Sequence, residues 1–241
     1  MKKTSDKIKT IDKTLSLFCN SYNLHGIEAP IEKNLKNQTY FLNHGNSLSW
    51  MVVPSVLGRA AYDNNFLDFK FGVIYHPLVK KIPILNKLAA NLAGTMPKKH
   101  QEIITNLKNN HVDAYGTMPE AINCVLKWKD PIAKFRYNGL ILASLEAESD
   151  MFVIVHKGTE VWDKHIPFLN KIPFPAHPSI PMPFKKIDLQ MAILPYKPSI
   201  TLSDVIDYKN RYKKVINKDD SPIDEEGIRM RRFMLENYKN L

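Results

Sequence analysis

The chain has 241 residues, of which 44% are hydrophobic and 24% charged, an ordinary globular composition that excludes intrinsic disorder. Its 34 lysines and arginines against 24 aspartates and glutamates leave a net charge of +10, so its surface seeks phosphate in nucleic acid, anionic lipid headgroups or a phosphorylated cofactor. Two cysteines, Cys19 and Cys124, make neither a disulfide framework nor a metal-spacing motif, and a reducing cytoplasm is the expected compartment.

The first 14 residues hold five lysines and no apolar run, so no signal peptide is expected. Ile8, Ile11, Leu15, Phe18 and Tyr22 recur at helical spacing and predict an N-terminal amphipathic helix, packed on the domain or docked on a membrane. A strand is predicted over residues 38–43. The turn His44-Gly45-Asn46-Ser47 follows, then a helix through Trp50, Val53 and Leu57 that Pro54 kinks or ends. Residues 67–75 alternate as a strand through Phe69, Phe71 and Val73. Helical segments are expected near 84–93 and 98–109, a short strand at 112–115 and a helix at 138–148.

The unbroken apolar run from Met151 to Val155 marks a buried central strand. Between Ile166 and Phe184, six prolines interleave with Phe168, Phe174 and Phe184. Proline cannot donate to a ladder, so this segment is expected to be an ordered loop, either a connector or an apolar rim for a lipid chain. Residues 187–194 form another strand, before helices near 203–217 and 223–238. Strands alternating with helices predict an α/β fold: residues 1–37 as helix and lead-in, then one domain over 38–241 with helices covering both faces of its sheet. No apolar stretch approaches the roughly 20 residues needed to span a bilayer, so contact with lipid would be peripheral.

Several familiar sites are absent. There is no Gly-x-Gly-x-x-Gly, no Walker loop and no zincin helix, and the eight histidines show no paired ligand spacing, so no metal or cofactor is expected. No ribonucleoprotein motif, zinc finger or basic zipper is present, which argues against a nucleic-acid partner. Gly45-Asn46-Ser47-Leu48-Ser49 approaches a nucleophile elbow around Ser47, with Ser49 in place of the second glycine; a hydrolase is the alternative that this leaves open. His44 is the strongest candidate. It ends a strand just before a helix, where ligands enter α/β sheets, and an imidazole titrates near neutrality.

Asn43-His44-Gly45-Asn46-Ser47-Leu48-Ser49 resembles the first block, Asn-His-x4-Asp, of the lysophospholipid and glycerophosphate acyltransferases. Gly72 to Pro77 followed by Ile82 to Leu88 resembles the second block, and Tyr115-Gly116-Thr117-Met118-Pro119-Glu120-Ala121 stands where the third is expected. Glu120, Lys127 to Lys129 and Asn138 to Ala147 are similar to the diacylglycerol-acyltransferase-like branch, and Phe152 to Val155 to the fourth block. The resemblance covers about residues 38–200. It implies a single-domain, mostly parallel sheet of the glycerol-3-phosphate acyltransferase type. It also implies transfer of a fatty acyl group from a coenzyme A or acyl carrier protein thioester to the alcohol of a lipid acceptor, on an anionic membrane surface.

By that resemblance His44 is the general base, Ser49 holds the position of its orienting aspartate, and Glu120 orients His44 or a ligand; a surface ion pair is the plainer role for Glu120. Asn43, Gly116 and Thr117 are implied to contact substrate, with backbone N–H groups at Gly116-Thr117 facing the oxyanion. Lys98 or Lys99 stands in for the second block's arginine. Pro119 occupies the place of a phosphate-binding arginine, which implies an acceptor without phosphate or a lapsed catalyst.

Overall fold

The computed structural model describes residues 2–45, 49–66, 68–74, 97, 99–120, 126–127, 131–165, 177–181, 185–212 and 221–241. The chain enters through helix α1 (Lys2–Phe18), which passes directly into strand β1 (Cys19–His25), and continues through α2 (Glu28–Glu32), β2 (Gln38–Leu42) and α3 (Ser49–Asp63). Next come β3 (Phe71–Ile74), α4 (His100–Lys108), β4 (Ala114–Thr117), β5 (Leu126–Lys127), α5 (Gly139–Ala147) and β6 (Asp150–Lys157). A 3-10 turn (Thr159–Trp162), β7 (Asp163–His165), β8 (His177–Pro181), β9 (Ile187–Tyr196), α6 (Leu202–Tyr212) and α7 (Pro222–Asn240) complete the order.

Six strands form one sheet in the order β1-β9-β6-β2-β4-β3. All its pairings are parallel except β6 with β9. This is the α/β architecture expected. Alternation sorts the side chains to two cores: Tyr40 and Leu42 of β2, with Phe152 and Ile154 of β6, face one cluster that Ile11 and Leu15 of α1 and Val52, Val53 and Val56 of α3 complete. Phe41 of β2 and Val153 and Val155 of β6 face the other, closed by Leu107 of α4, Ile141 of α5 and Met230 of α7. Each fully buried large side chain contributes about 1.5–3 kcal/mol, so both faces stabilise the sheet.

α3 and α5 therefore lie on opposite faces. α3 follows β2, and α5 comes after β4 and the short β5, so the helices after these two adjacent strands pack on opposite faces of the sheet. Open α/β sheets take ligands at the carboxyl ends of their strands.

Several expectations are corrected. Tyr22 belongs to β1, not to the N-terminal helix, and β1 is an edge strand paired with β9 in the same sheet. α1 buries its apolar face against α3, where Arg59 bonds Asp12 (3.0 Å) and Asp63 (2.7 Å). Of the two roles weighed for that face, packing on the domain is the one observed. α3 runs through Pro54 to Asp63. The fourth strand covers Ala114–Thr117, not 112–115, and of 67–75 only Phe71–Ile74 is strand among the described residues. Within the proline-rich segment, His177–Pro181 is a strand paired with β5 and β7, its prolines flanking Ser179 and Ile180. The helix expected at 84–93 lies outside the described residues, as do 166–176 and 182–184.

Candidate functional site

β2 delivers His44 two residues beyond its last strand position, at its carboxyl end, and α3 begins at Ser49. The Ser49 Oγ lies 3.4 Å from His44 Nδ1, with Ser49 fully buried. The five-residue spacing thus brings the two side chains together. Two other carboxylates close in sequence are engaged or exposed elsewhere: Asp63 is paired with Arg59, and Asp68 is exposed.

Glu120, just past β4, is 1% exposed, which rules out the surface ion pair. One carboxylate oxygen accepts the peptide N–H of His44 and the other that of Ala133, both at 2.6 Å. Arg231 of α7 donates to the carbonyls of Ile132 (2.8 Å) and Ala133 (3.0 Å) beside it. Burial pushes the Glu120 carboxyl up to about 8, against the two peptide donors and the Arg231 charge, which favour the ionised form. Glu120 therefore joins the His44 turn, the 132–133 segment and α7, and its hold on His44 is through the main chain.

Asn43 is fully buried between β2 and β6. Its side chain donates to the His156 carbonyl (3.1 Å) and accepts the His156 peptide N–H (2.8 Å), while its own carbonyl accepts from His156 Nε2 (2.8 Å). These bonds make Asn43 the peg that locks the exit of β2 to β6. Gly116 and Thr117 sit in the middle of the sheet, in register with Tyr40 and Phe41 of β2 and Val73 and Ile74 of β3. Their peptide groups serve the ladder on both sides. Lys99 is exposed at the N-cap of α4. Its neighbour His100 bonds Glu146 (3.0 Å) in the last turn of α5, a turn that Asn37 ties to the start of β2. That is the end of β2 opposite His44, so Lys99 is not brought to the site. Lys98 and Ser47 lie outside the described residues.

His156, Ala133 and Arg231 belong to the candidate site and were missed by the sequence reading. The signal for His156 was its place at the end of the apolar run Met151–Val155, another strand exit like that of His44. Burial, opposed by its bond to Asn43, and the neighbouring His44 hold His156 down at about 4, so it is uncharged at neutral pH. Gly158, with φ of +111°, ends β6 in a conformation suited to glycine.

Among the described residues no group of three or more histidine, cysteine or acidic side chains converges as a metal site. A cavity of about 10 Å³ beneath α3, lined by Ile27, Leu35, Tyr40, Leu57, Ala61, Phe69 and Phe71, holds no more than a water-sized body. The arrangement is thus an imidazole with a hydroxyl at one nitrogen, carried on a main chain held by Glu120 and His156. Comparison of the sequence with family models and with curated proteins gives no match.

Proposed function

We propose that the protein is an acyltransferase that moves a fatty acyl group from a coenzyme A or acyl carrier protein thioester to the hydroxyl of a glycerolipid or related lipid alcohol. The observation that carries this reading is the pairing of His44 with Ser49, 3.4 Å apart, just beyond the carboxyl end of β2. With the proton on Nδ1, Ser49 Oγ accepts from His44 and the lone pair resides on Nε2. His44 removes the hydroxyl proton of the acceptor, and the oxygen attacks the thioester carbonyl. A C–O bond forms, the C–S bond breaks, and the proton passes from His44 to the departing sulfur. General-base assistance of this kind supplies about 10²–10⁴ in rate.

A second reading, a protein of this fold that binds acyl thioester without turning it over, is favoured by one feature: the partner of Nδ1 is a neutral hydroxyl. Long-chain acyl thioester turnover, measured with and without a lipid alcohol, decides between them. Turnover that needs the alcohol and is lost in His44→Ala supports transfer. Binding without turnover supports the second reading.

No helix among the described residues is long and apolar enough to cross a membrane. We place the protein on the cytoplasmic face of an anionic membrane, through an edge at the end of α1. Leu17 and Val161 are 61% and 54% exposed there, next to Phe18 and Trp162, whose rings meet at 5.6 Å. Lys13 lies one turn from Leu17, and Lys185 and Lys186 are exposed where their carbonyls accept from Trp162 and Asn20. Apolar tips ringed by lysines suit a headgroup layer.

A further inference from the structure

We propose that His156 is the positioning residue of this site, its imidazole wedged between the two chain neighbours of His44 so that His44 meets its substrate from a fixed main chain. The identity of the reaction rests on the acyl-transfer reading; the geometry does not.

On one side the His156 ring donates from Nε2 to the Asn43 carbonyl at 2.8 Å. A carbonyl only accepts, so the ring proton is on Nε2 and Nδ1 carries the lone pair. On the other side the ring backs onto Gly45. A Cβ at Gly45 would lie 2.9 Å from His156 Cε1, 3.4 Å from Nδ1 and 2.3 Å from Thr159 Oγ1. Gly45 must therefore be glycine for the turn to close on this surface, and any shift of His156 is transmitted to residues 43 and 45 together. Glu120 grips the residue between them by its N–H. Three consecutive residues are thus held by two buried titratable side chains.

The arrangement has a cost that packing alone does not explain. His156 Nδ1 and Thr159 Oγ1 are buried and have no hydrogen-bond partner among the described residues. An unpaired buried lone pair is destabilising, and an apolar ring of similar shape would remove that penalty. What such a ring would lack is the Nε2–H on the Asn43 carbonyl. Burial also keeps the His156 ring uncharged at neutral pH, so it holds the Asn43 carbonyl as a neutral donor.

The test compares His156→Phe with His156→Gln in the full-length protein. Gln places a side-chain N–H where Nε2–H stands; Phe does not. The readouts are the titration of the His44 C2–H proton by NMR, assigned with His44→Ala, and kcat and KM for acyl transfer. Phe is expected to move the His44 midpoint by about half a pH unit or more and to lower kcat about tenfold, with KM nearly constant. Gln is expected to restore most of both. A folded Phe variant whose His44 midpoint and kcat match wild type overturns the proposal. Should Phe not fold, His156→Asn against His156→Gln makes the same comparison, because the Asn amide stops short of the Asn43 carbonyl; equal behaviour of the two overturns it. Wild type without turnover would end the acyl-transfer reading, and the NMR arm still decides the positioning role.

Discussion

A base that removes a proton becomes a cation in mid-reaction, and what lies at its other nitrogen sets how well that charge is borne. At His44 the partner is the Ser49 hydroxyl, 3.4 Å from Nδ1, a weak and neutral hydrogen bond. Ser49→Ala is therefore expected to lower acyl transfer less than tenfold, the loss of about 1 kcal/mol that one such bond contributes. His44→Ala is expected to abolish it. Ser49→Asp should do the opposite of Ala, because position 49 is the first residue of α3, where the helix N-terminus favours a carboxylate. A carboxylate there raises the His44 midpoint and stabilises the imidazolium, and the expected gain in kcat is about tenfold or more. Steady-state kinetics on the three variants check this; wild-type turnover unchanged by His44→Ala would remove His44 from the mechanism. Turnover that appears only in Ser49→Asp would identify a lapsed enzyme with its pocket intact.

Elements whose residues bury on alternate faces were legible in the sequence. The apolar runs of β2, β6 and β9 and the helical periods of α4, α5 and α7 were each recognisable because the two cores demand them. β1 was not, since its middle residues Asn20 to Asn23 are exposed on a sheet edge and carry no apolar alternation. β8 was hidden by Pro178 and Pro181; Pro181 stands opposite Asp163 of β7, and Ser179 and Ile180 opposite His165 and Lys164. At the site, His44, Ser49 and Glu120 could be found by motif order. The grip of His156 on Asn43 spans 113 residues, and no local pattern encodes a contact at that distance. α1 gives the sharpest test at this scale. Ile11 is 6% exposed and packs against α3, where its Cδ1 lies 2.8 Å from where a Gly58 Cβ would be. Ile11→Ala is expected to cost about 2–5 kcal/mol of stability, read from urea denaturation, because a cavity opens between the two helices. A membrane-facing Ile11 would give no such loss.

For the whole molecule, the proposed membrane placement makes lipid binding depend on ionic strength, through the +10 charge and the lysines around Leu17 and Val161. Each lysine near an anionic surface contributes about 1 kcal/mol, so Lys185→Glu with Lys186→Glu should weaken co-sedimentation with phosphatidylserine vesicles. Rising salt should do the same to wild type. Leu17→Ser should weaken binding at every salt concentration. Equal binding of wild type to neutral and anionic vesicles would refute the membrane placement.

Stability against pH follows from the two buried titratable groups that hold the His44 turn, and their signs are opposite. Glu120 is raised from 4.5 to about 8, so between those values the native state holds a proton that the unfolded chain has lost. Its contribution is complete below pH 4.5 and disappears as pH rises through 8. His156 is lowered from 6.5 to about 4, so between those values the unfolded chain holds the extra proton. Its contribution is complete above pH 6.5 and disappears as pH falls through 4. From pH 4.5 to 6.5 the two slopes cancel, and these groups leave stability level. Above 6.5 only Glu120 still changes, and stability should fall by about 1.4 kcal/mol per pH unit until pH 8. His156→Gln removes the acid-side term and exposes the Glu120 slope over its full range. That variant should therefore lose stability steadily from pH 4.5 to 8, where wild type declines only above 6.5. Urea denaturation at half-unit pH intervals measures both curves, and parallel curves for the two proteins would show that His156 is not the buried neutral imidazole described here.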